Sequence, residues 1–184
     1  MRKIVAGVFL SLDGVMESPE KWHFPYFNDE MGAVVGGQMA ESDAMLLGRV
    51  TWQEFAGFWP QQPADEEPAP FMNGVRKYVV STTLDSVDAW QNSTLIRGDL
   101  ATEIRKLKDQ PGGTIGVTGS GTLIQSLLRE NLLDELSLLV HPLTVGEGKR
   151  LFTGATGQRP LELVDSTTFS TGVLHLVYRP AASE

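Results

Sequence analysis

A chain of 184 residues, 41% hydrophobic and 21% charged, has the make-up of one soluble globular domain. Its formal net charge of -8 supplies no phosphate-tracking basic face, which speaks against a nucleic-acid partner. It has no cysteine, so disulfides, thiolate metal sites, iron–sulfur clusters and cysteine nucleophiles are all excluded, and a reducing, cytoplasmic setting is expected.

Met1-Arg2-Lys3 leads into the apolar run 4–10. The run is too short to cross a membrane, and Asp13, Gly14 and Glu17 stand where a signal peptide would be cleaved, so it reads as a buried central strand. Residues 28–41 predict a helix: Asn28 or Asp29 can cap it, and Met31, Val34, Val35, Gln38 and Met39 recur at helical spacing. A short strand over 44–47 and a helix from 49 to 55 follow. Residues 59–70 carry Pro60, Pro63, Pro68 and Pro70 among Asp65, Glu66 and Glu67, and are expected to form an exposed loop.

Strands are expected at 78–80 and 94–96, then a helix over 99–108 with Leu100, Ile104 and Leu107 on one face. A strand over 114–118 runs into a helix over 121–130, whose Leu123, Ile124, Leu127 and Leu128 make a core stripe. The apolar strand 136–140 stops at Pro142. Residues 161–170 and 173–178 flank Gly172 as a closing antiparallel hairpin would. The sum is a single α/β domain with a mixed sheet, without internal repeat or linker.

Three strand-end turns carry the chemistry. In Gly116-Val117-Thr118-Gly119-Ser120-Gly121-Thr122-Leu123, a strand becomes a helix through glycines that let backbone approach a ligand, and the helix start favours a phosphate. It lacks the third glycine of a dinucleotide fingerprint, because Ile124 stands there, and it lacks the flanking glycines of a nucleophile elbow. Leu47-Gly48-Arg49-Val50-Thr51-Trp52 is a second such turn. An Arg in a first helical turn opposes the helix dipole, which points to an anionic partner. The third, Val79-Val80-Ser81-Thr82-Thr83-Leu84, ends a strand in hydroxyls that suit a cap or a phosphate.

In this order the three turns resemble the dihydrofolate-reductase-like fold. Val5-Ala6-Gly7 through Asp13-Gly14-Val15 is similar to its first strand and mobile loop, and Trp22-His23-Phe24-Pro25 with Asp29 to the entrance of its first helix. Ser11-Leu12-Asp13-Gly14, Leu133-Asp134-Glu135-Leu136 and His141-Pro142 followed by Gly146-Glu147-Gly148-Lys149-Arg150-Leu151-Phe152 narrow the resemblance. Together with the turns at 47–52 and 119–123, they match the reductase domain of riboflavin biosynthesis (the RibD C-terminal domain) in a free-standing form.

That resemblance implies an NADPH-dependent reductase acting on a C=N or C=O of a small heterocycle, as 5-amino-6-(5-phosphoribosylamino)uracil reductase does. A pterin or dihydrofolate reductase and a non-catalytic nucleotide-binding module are the alternatives. It further implies that Gly48, Arg49 and Thr51 hold cofactor phosphates and that Ser81 and Thr82 lie near the adenosine 2′-phosphate. Gly119, Ser120, Gly121 and Thr122 would cradle the diphosphate, with Ala6 and Gly7 beside the nicotinamide. Asp13 and then Asp29 are the catalytic candidates, and Trp22 and His141 are placed near the substrate. Without an H-x-E or P-C-x-x-C element there is no zinc deaminase module. Three scattered histidines, of which His175 reads as structural, make no metal site. A homodimer is expected from the apolar strand 136–140 and the closing hairpin.

Overall fold

The computed structural model describes residues 1–153 and 157–181. Its single eight-stranded sheet has the order β4-β3-β2-β5-β1-β6-β8-β7. β1 (Ile4–Ser11), β2 (Ser42–Gly48), β3 (Arg76–Val80), β4 (Ser93–Ile96), β5 (Thr114–Gly119) and β6 (Glu135–His141) are all parallel. β8 (Leu174–Pro180) and β7 (Leu161–Thr168) close it as the expected antiparallel hairpin. The helices are α1 (Asp29–Glu41), α2 (Arg49–Phe58), α3 (Ala69–Gly74), α4 (Leu100–Asp109) and α5 (Gly121–Arg129).

β1 shows how the sequence sets the layers. Ile4, Ala6, Val8 and Leu10 join Ile104, Leu107, Leu123, Ile124 and Leu127 in one core, so the even residues pack under α4 and α5. The odd residues Val5, Gly7 and Phe9 face the opposite layer, where α1, α2 and α3 lie. Burying each large side chain contributes about 1.5–3 kcal/mol, and the α4–α5 layer carries most of that load. Asp134 anchors the strand start: it accepts from Ile4 N at 2.7 Å and from the buried Lys108 ammonium at 2.6 Å.

α1 is held more lightly. Asn28 caps it through Met31 N, as expected, but Met31 is its one buried residue, and Gly32, Gly36 and Gly37 interrupt it. Interior glycines cost a helix about 1 kcal/mol each relative to Ala.

Two expectations are corrected. Residues 59–70 are not wholly an exposed loop: a 3-10 turn spans Trp59–Gln61, and Ala69, fully buried, opens α3. Past the end of α3 lies Lys77, whose buried ammonium donates to the carbonyls of Asn73, Val75 and Gln91 at 3.2, 2.8 and 3.1 Å and sits 4.2 Å over the Trp90 ring. These bonds satisfy carbonyls at the end of the helix that a proline-rich stretch conceals. Secondly, β6 is not an edge. It lies between β1 and β8; the sheet's edges are β4 and β7, and on β7 Leu163 and Val164 are each 50% exposed.

Candidate active site

Six parallel strands bring their carboxyl ends to one side of the sheet, the side on which open α/β sheets bind ligands. There the β2–α2 and β5–α5 turns interlock. A Cβ at Gly48 would lie 2.5 Å from Ser120 Oγ and 3.1 Å from Ser120 N, and one at Gly119 would lie 2.8 Å from Thr51 Oγ1. Only glycine lets the two turns meet this closely. The Gly119–Ser120 peptide is cis.

Two helix starts thus sit side by side. Ser120 caps α5 by accepting from Leu123 N at 3.3 Å, while Gly48 caps α2 with no side-chain bond, and neither first turn holds an acid. The free N–H groups of both turns face the same edge and favour an anion there. Arg49 is exposed and donates to Gln53 Oε1 at 2.9 Å, and Thr122 is exposed on the first turn of α5.

Gly48 pairs with Val80, so Arg49 and Ser81 are the next step on neighbouring strands. Ser81 is buried, and its hydroxyl is consumed by the amides of Thr83 and Leu84 at 3.1 and 3.0 Å. It shapes the turn, and exposed Thr82 is the hydroxyl presented there. Arg97, absent from the sequence reading, lies beside it: Ser81 N bonds Ile96 O, and Arg97 donates to the Leu84 and Asp85 carbonyls. Its signal was the one that marked Arg49, a cation at a strand end.

From this edge a cleft of about 320 Å³ runs under α1, bounded by β1, β5, β6, α2 and α3. Its floor includes Gly7 and Gly116, and its walls are mostly apolar, with Met16, Val35, Met39, Phe55 and Leu139 among them. Ala6, expected beside this space, points its side chain into the opposite core and is fully buried, so only its backbone can reach a ligand. Gly7 lines the cleft, with the Gln38 carboxamide lying over it.

The expected catalytic carboxylates are placed elsewhere. Asp13 accepts from Ser11 Oγ at 2.6 Å, Val145 N at 3.0 Å and Gly146 N at 2.8 Å, with Arg150 at 3.7 Å. These donors, the Ser11 hydroxyl first, hold its carboxyl far below the usual carboxylate range, so it keeps no proton to give near neutral pH. Asp13 instead ties the loop after β1 to the segment after β6. Leu12 N to Leu143 O, Met16 N to Lys149 O and Leu151 N to Gly14 O complete that seam. Asp29 stands exposed in the first turn of α1.

Trp22 and His141 do come together, edge to face at 5.1 Å, within a ring cluster that includes His23 stacked on Phe9 at 4.6 Å. His141 is fully buried, and its Nδ1 donates to the Leu139 and Leu10 carbonyls at 2.9 and 3.2 Å, which leaves Nε2 a buried acceptor without a partner. His23 Nδ1 is likewise buried and unpaired. Burial pushes both imidazoles below their ordinary value, so both are neutral at pH 7. Phe9 stands between this pair and the cleft, which it also lines. Among the described residues no group of three or more His, Cys, Asp or Glu could hold a metal, and no helix is long and apolar enough to cross a membrane.

The profile of the RibD C-terminal domain matches residues 2–175. The chain belongs to the RibD C-terminal domain family. Within reach of this RibD C-terminal chain is the uncharacterised YyaP of Bacillus subtilis strain 168, 29% identical over 181 residues, or 96% of this chain and 94% of that protein. The crystal structure of a Shewanella sp. PV-4 protein assigned to riboflavin biosynthesis superposes with a TM-score of 0.78 at 23% identity, covering 99% and 100% of the two chains. A Thermotoga maritima diaminohydroxyphosphoribosylaminopyrimidine deaminase/5-amino-6-(5-phosphoribosylamino)uracil reductase gives 0.67 at 15%, over 98% of this chain and 57% of that one. Enterococcus faecalis dihydrofolate reductase, complexed with NADP(H) and RAB-propyl, gives 0.66 at 15%, over 98% and 97%. These structural likenesses establish that the RibD C-terminal chain has the dihydrofolate-reductase-like fold.

Proposed function

We propose that the protein is an NADPH-dependent reductase that reduces a C=N or C=O carbon of a small heterocycle or ring-opened ribosylamine. The observation that carries this reading is the interlock of the β2–α2 and β5–α5 turns. It sets two helix starts side by side, that of α2 without a side-chain cap, with Arg49 and Thr122 exposed on their first turns, and an apolar cleft that Gly7 lines lies on the same sheet. Family membership and the reductase neighbours support it.

NADPH, when bound, supplies the hydride. The backbone N–H groups of 119–122 and 48–51 bind its diphosphate, and Arg49 with Thr82 meets the 2′-phosphate. Gly7 and the apolar walls orient the ring and exclude water. The proton is not carried by Asp13, which is locked as an anion. His141 Nε2 and His23 Nδ1, buried and unpaired among the described residues, lie behind Phe9, which lines the cleft.

NADPH titration by fluorescence, followed by turnover with the pyrimidine ribosylamine 5-phosphate and with dihydrofolate, tests the reading. NADPH oxidation with the first substrate is expected. Preference for dihydrofolate would make the protein a folate reductase, and tight NADPH binding without turnover of either would make it a nucleotide-binding module.

We also propose a homodimer, formed through the exposed edge of β7 with its apolar Leu163 and Val164. Light scattering at micromolar concentration should report twice the chain mass. A monomer there removes the claim.

A further inference from the structure

Gln38 lines the cleft from α1 and is held by a strand on the far side of it. Its Nε2 donates to Ser137 Oγ on β6 at 2.7 Å, and Ser137 Oγ lies 2.9 Å from His175 Nε2 on β8. Ser137 is 2% exposed. The Ser137 hydroxyl accepts from the amide and shares a second hydrogen bond with the His175 imidazole. This chain of three groups fixes one end of the carboxamide. α1 buries little else, so the bond to Ser137 also decides where its last turns sit over the sheet.

The other end of the carboxamide faces the floor. Gln38 Oε1 lies 2.6 Å from the point a Cβ of residue 7 would occupy, and no hydrogen bond to it is formed among the described residues. Gln38 Oε1 thus lies over Gly7, and Ser42 Oγ comes within 3.2 Å of the Cβ position of Gly116 on the adjacent strand β5, so a flat ring would rest against the apolar walls beside the carboxamide. The remaining lining near Gln38 includes the carboxylates of Glu41 and Glu135, which repel an anion.

We propose that Gln38 is the specificity-determining residue of this cleft, its fixed carboxamide oxygen selecting a planar, uncharged heterocycle by accepting a ring N–H. The proposal rests on reading the cleft as the reductase's substrate site. It also orients the substrate: anionic substituents such as a phosphate must point away from the Glu41–Glu135 end.

The probe is lumazine, a fluorescent bicyclic dione with two ring N–H groups, against 1,3-dimethyllumazine, which keeps the carbonyls and loses both donors. Titrated without cofactor, the parent protein should bind lumazine at least about tenfold more tightly, the worth of one well-made hydrogen bond. Two variants should bring the two probes within about threefold of each other. Gln38→Leu removes the acceptor. Gly7→Ala leaves Gln38 in place but drives a Cβ into its Oε1, and because only the flexible end of that side chain must move, the fold stands. Ser137→Ala, which frees the amide without deleting it, should give an intermediate preference.

A parent that binds neither probe at millimolar concentration, or both equally, overturns the proposal. So does a preference that survives in Gln38→Leu and Gly7→Ala, which would trace it to the bulk of the methyl groups. NADPH titration of the same samples separates the two readings. Lumazine preference without NADPH binding sinks the reductase and keeps Gln38, and NADPH binding without lumazine preference does the reverse.

Discussion

Gly121→Val should lose NADPH binding by a factor of more than about a hundred while remaining folded. Gly121 is the first residue of α5, between Ser120, which caps that helix, and the exposed Thr122. A Cβ there would meet Met16 Sδ at 2.8 Å, with the next neighbours, Met16 Cε and the Arg150 carbonyl, at 3.8 and 3.9 Å. The close partner is the end of an unbranched, flexible side chain, so the core under α5 is untouched and the melting temperature should change by a few degrees at most. What the branched side chain fills is the approach of a diphosphate to the helix N–H groups, where charge-assisted bonds act together. Fluorescence titration reads the loss and a thermal melt checks the fold. Normal NADPH affinity in a folded variant would show that the turn only joins a strand to a helix.

Met16 gives that substitution a second effect. It lines the cleft and lies on the loop that the segment after β6 holds down through Asp13, Glu17 and Lys149. The sequence pattern Gly146-Glu147-Gly148-Lys149-Arg150-Leu151-Phe152 acquires a physical role here. Gly146 and Gly148 adopt φ of +83° and +113°, and their turn presents the Val145 and Gly146 amides to the Asp13 carboxylate. Leu133-Asp134-Glu135-Leu136 is structural in the same sense, because Asp134 pins the start of β1 and neutralises buried Lys108.

The interlocked turns proposed to hold the cofactor were legible because their parts are local. Gly48-Arg49 and Gly119-Ser120-Gly121-Thr122 are contiguous, and strand-to-helix transitions mark themselves in the apolar pattern. The proposed substrate end is assembled from residues far apart. Gln38 read as one position of a helical stripe, Ser137 was hidden in an apolar run, and His175 was set aside as structural. Separations of 99 and 38 residues join the three. Asp13 was legible as a carboxylate on a loop, but the amides that bond it lie 132 and 133 residues away, and those bonds let it clamp two segments together. Lys77 is the same lesson in the fold. A cation in a buried strand gives no hint from sequence that three carbonyls will surround it past the end of α3.

Arg49→Ala should weaken NADPH about ten- to a hundredfold and leave NADH nearly unchanged. The two cofactors differ only in the 2′-phosphate, so discrimination must come from charge and hydrogen bonds around that group. Arg49 is exposed in the first turn of α2, one step past the Gly48–Val80 pair, with Ser81 and exposed Thr82 on the neighbouring strand end. A helix start already favours an anion, and the Arg adds a charge-assisted bond worth roughly 1.5–3 kcal/mol, which sets the expected factor. Its side chain is steadied by Gln53 Oε1 at 2.9 Å rather than by a carboxylate, so no ion pair must break when the phosphate arrives. Ser81 contributes by holding the turn, since its hydroxyl is already bonded to Thr83 N and Leu84 N. Arg97, on the carbonyls of Leu84 and Asp85, is a second cation near enough to keep part of the preference, which sets the lower end of the range. Raising salt should weaken NADPH more than NADH in the parent protein, and less so in the variant, because these charges are open to solvent. Titration of both cofactors against both proteins at low and high salt decides it. Equal losses for the two would mean that Arg49 grips the shared diphosphate or supports the fold, and the 2′-phosphate would have to be sought beside Arg97 alone.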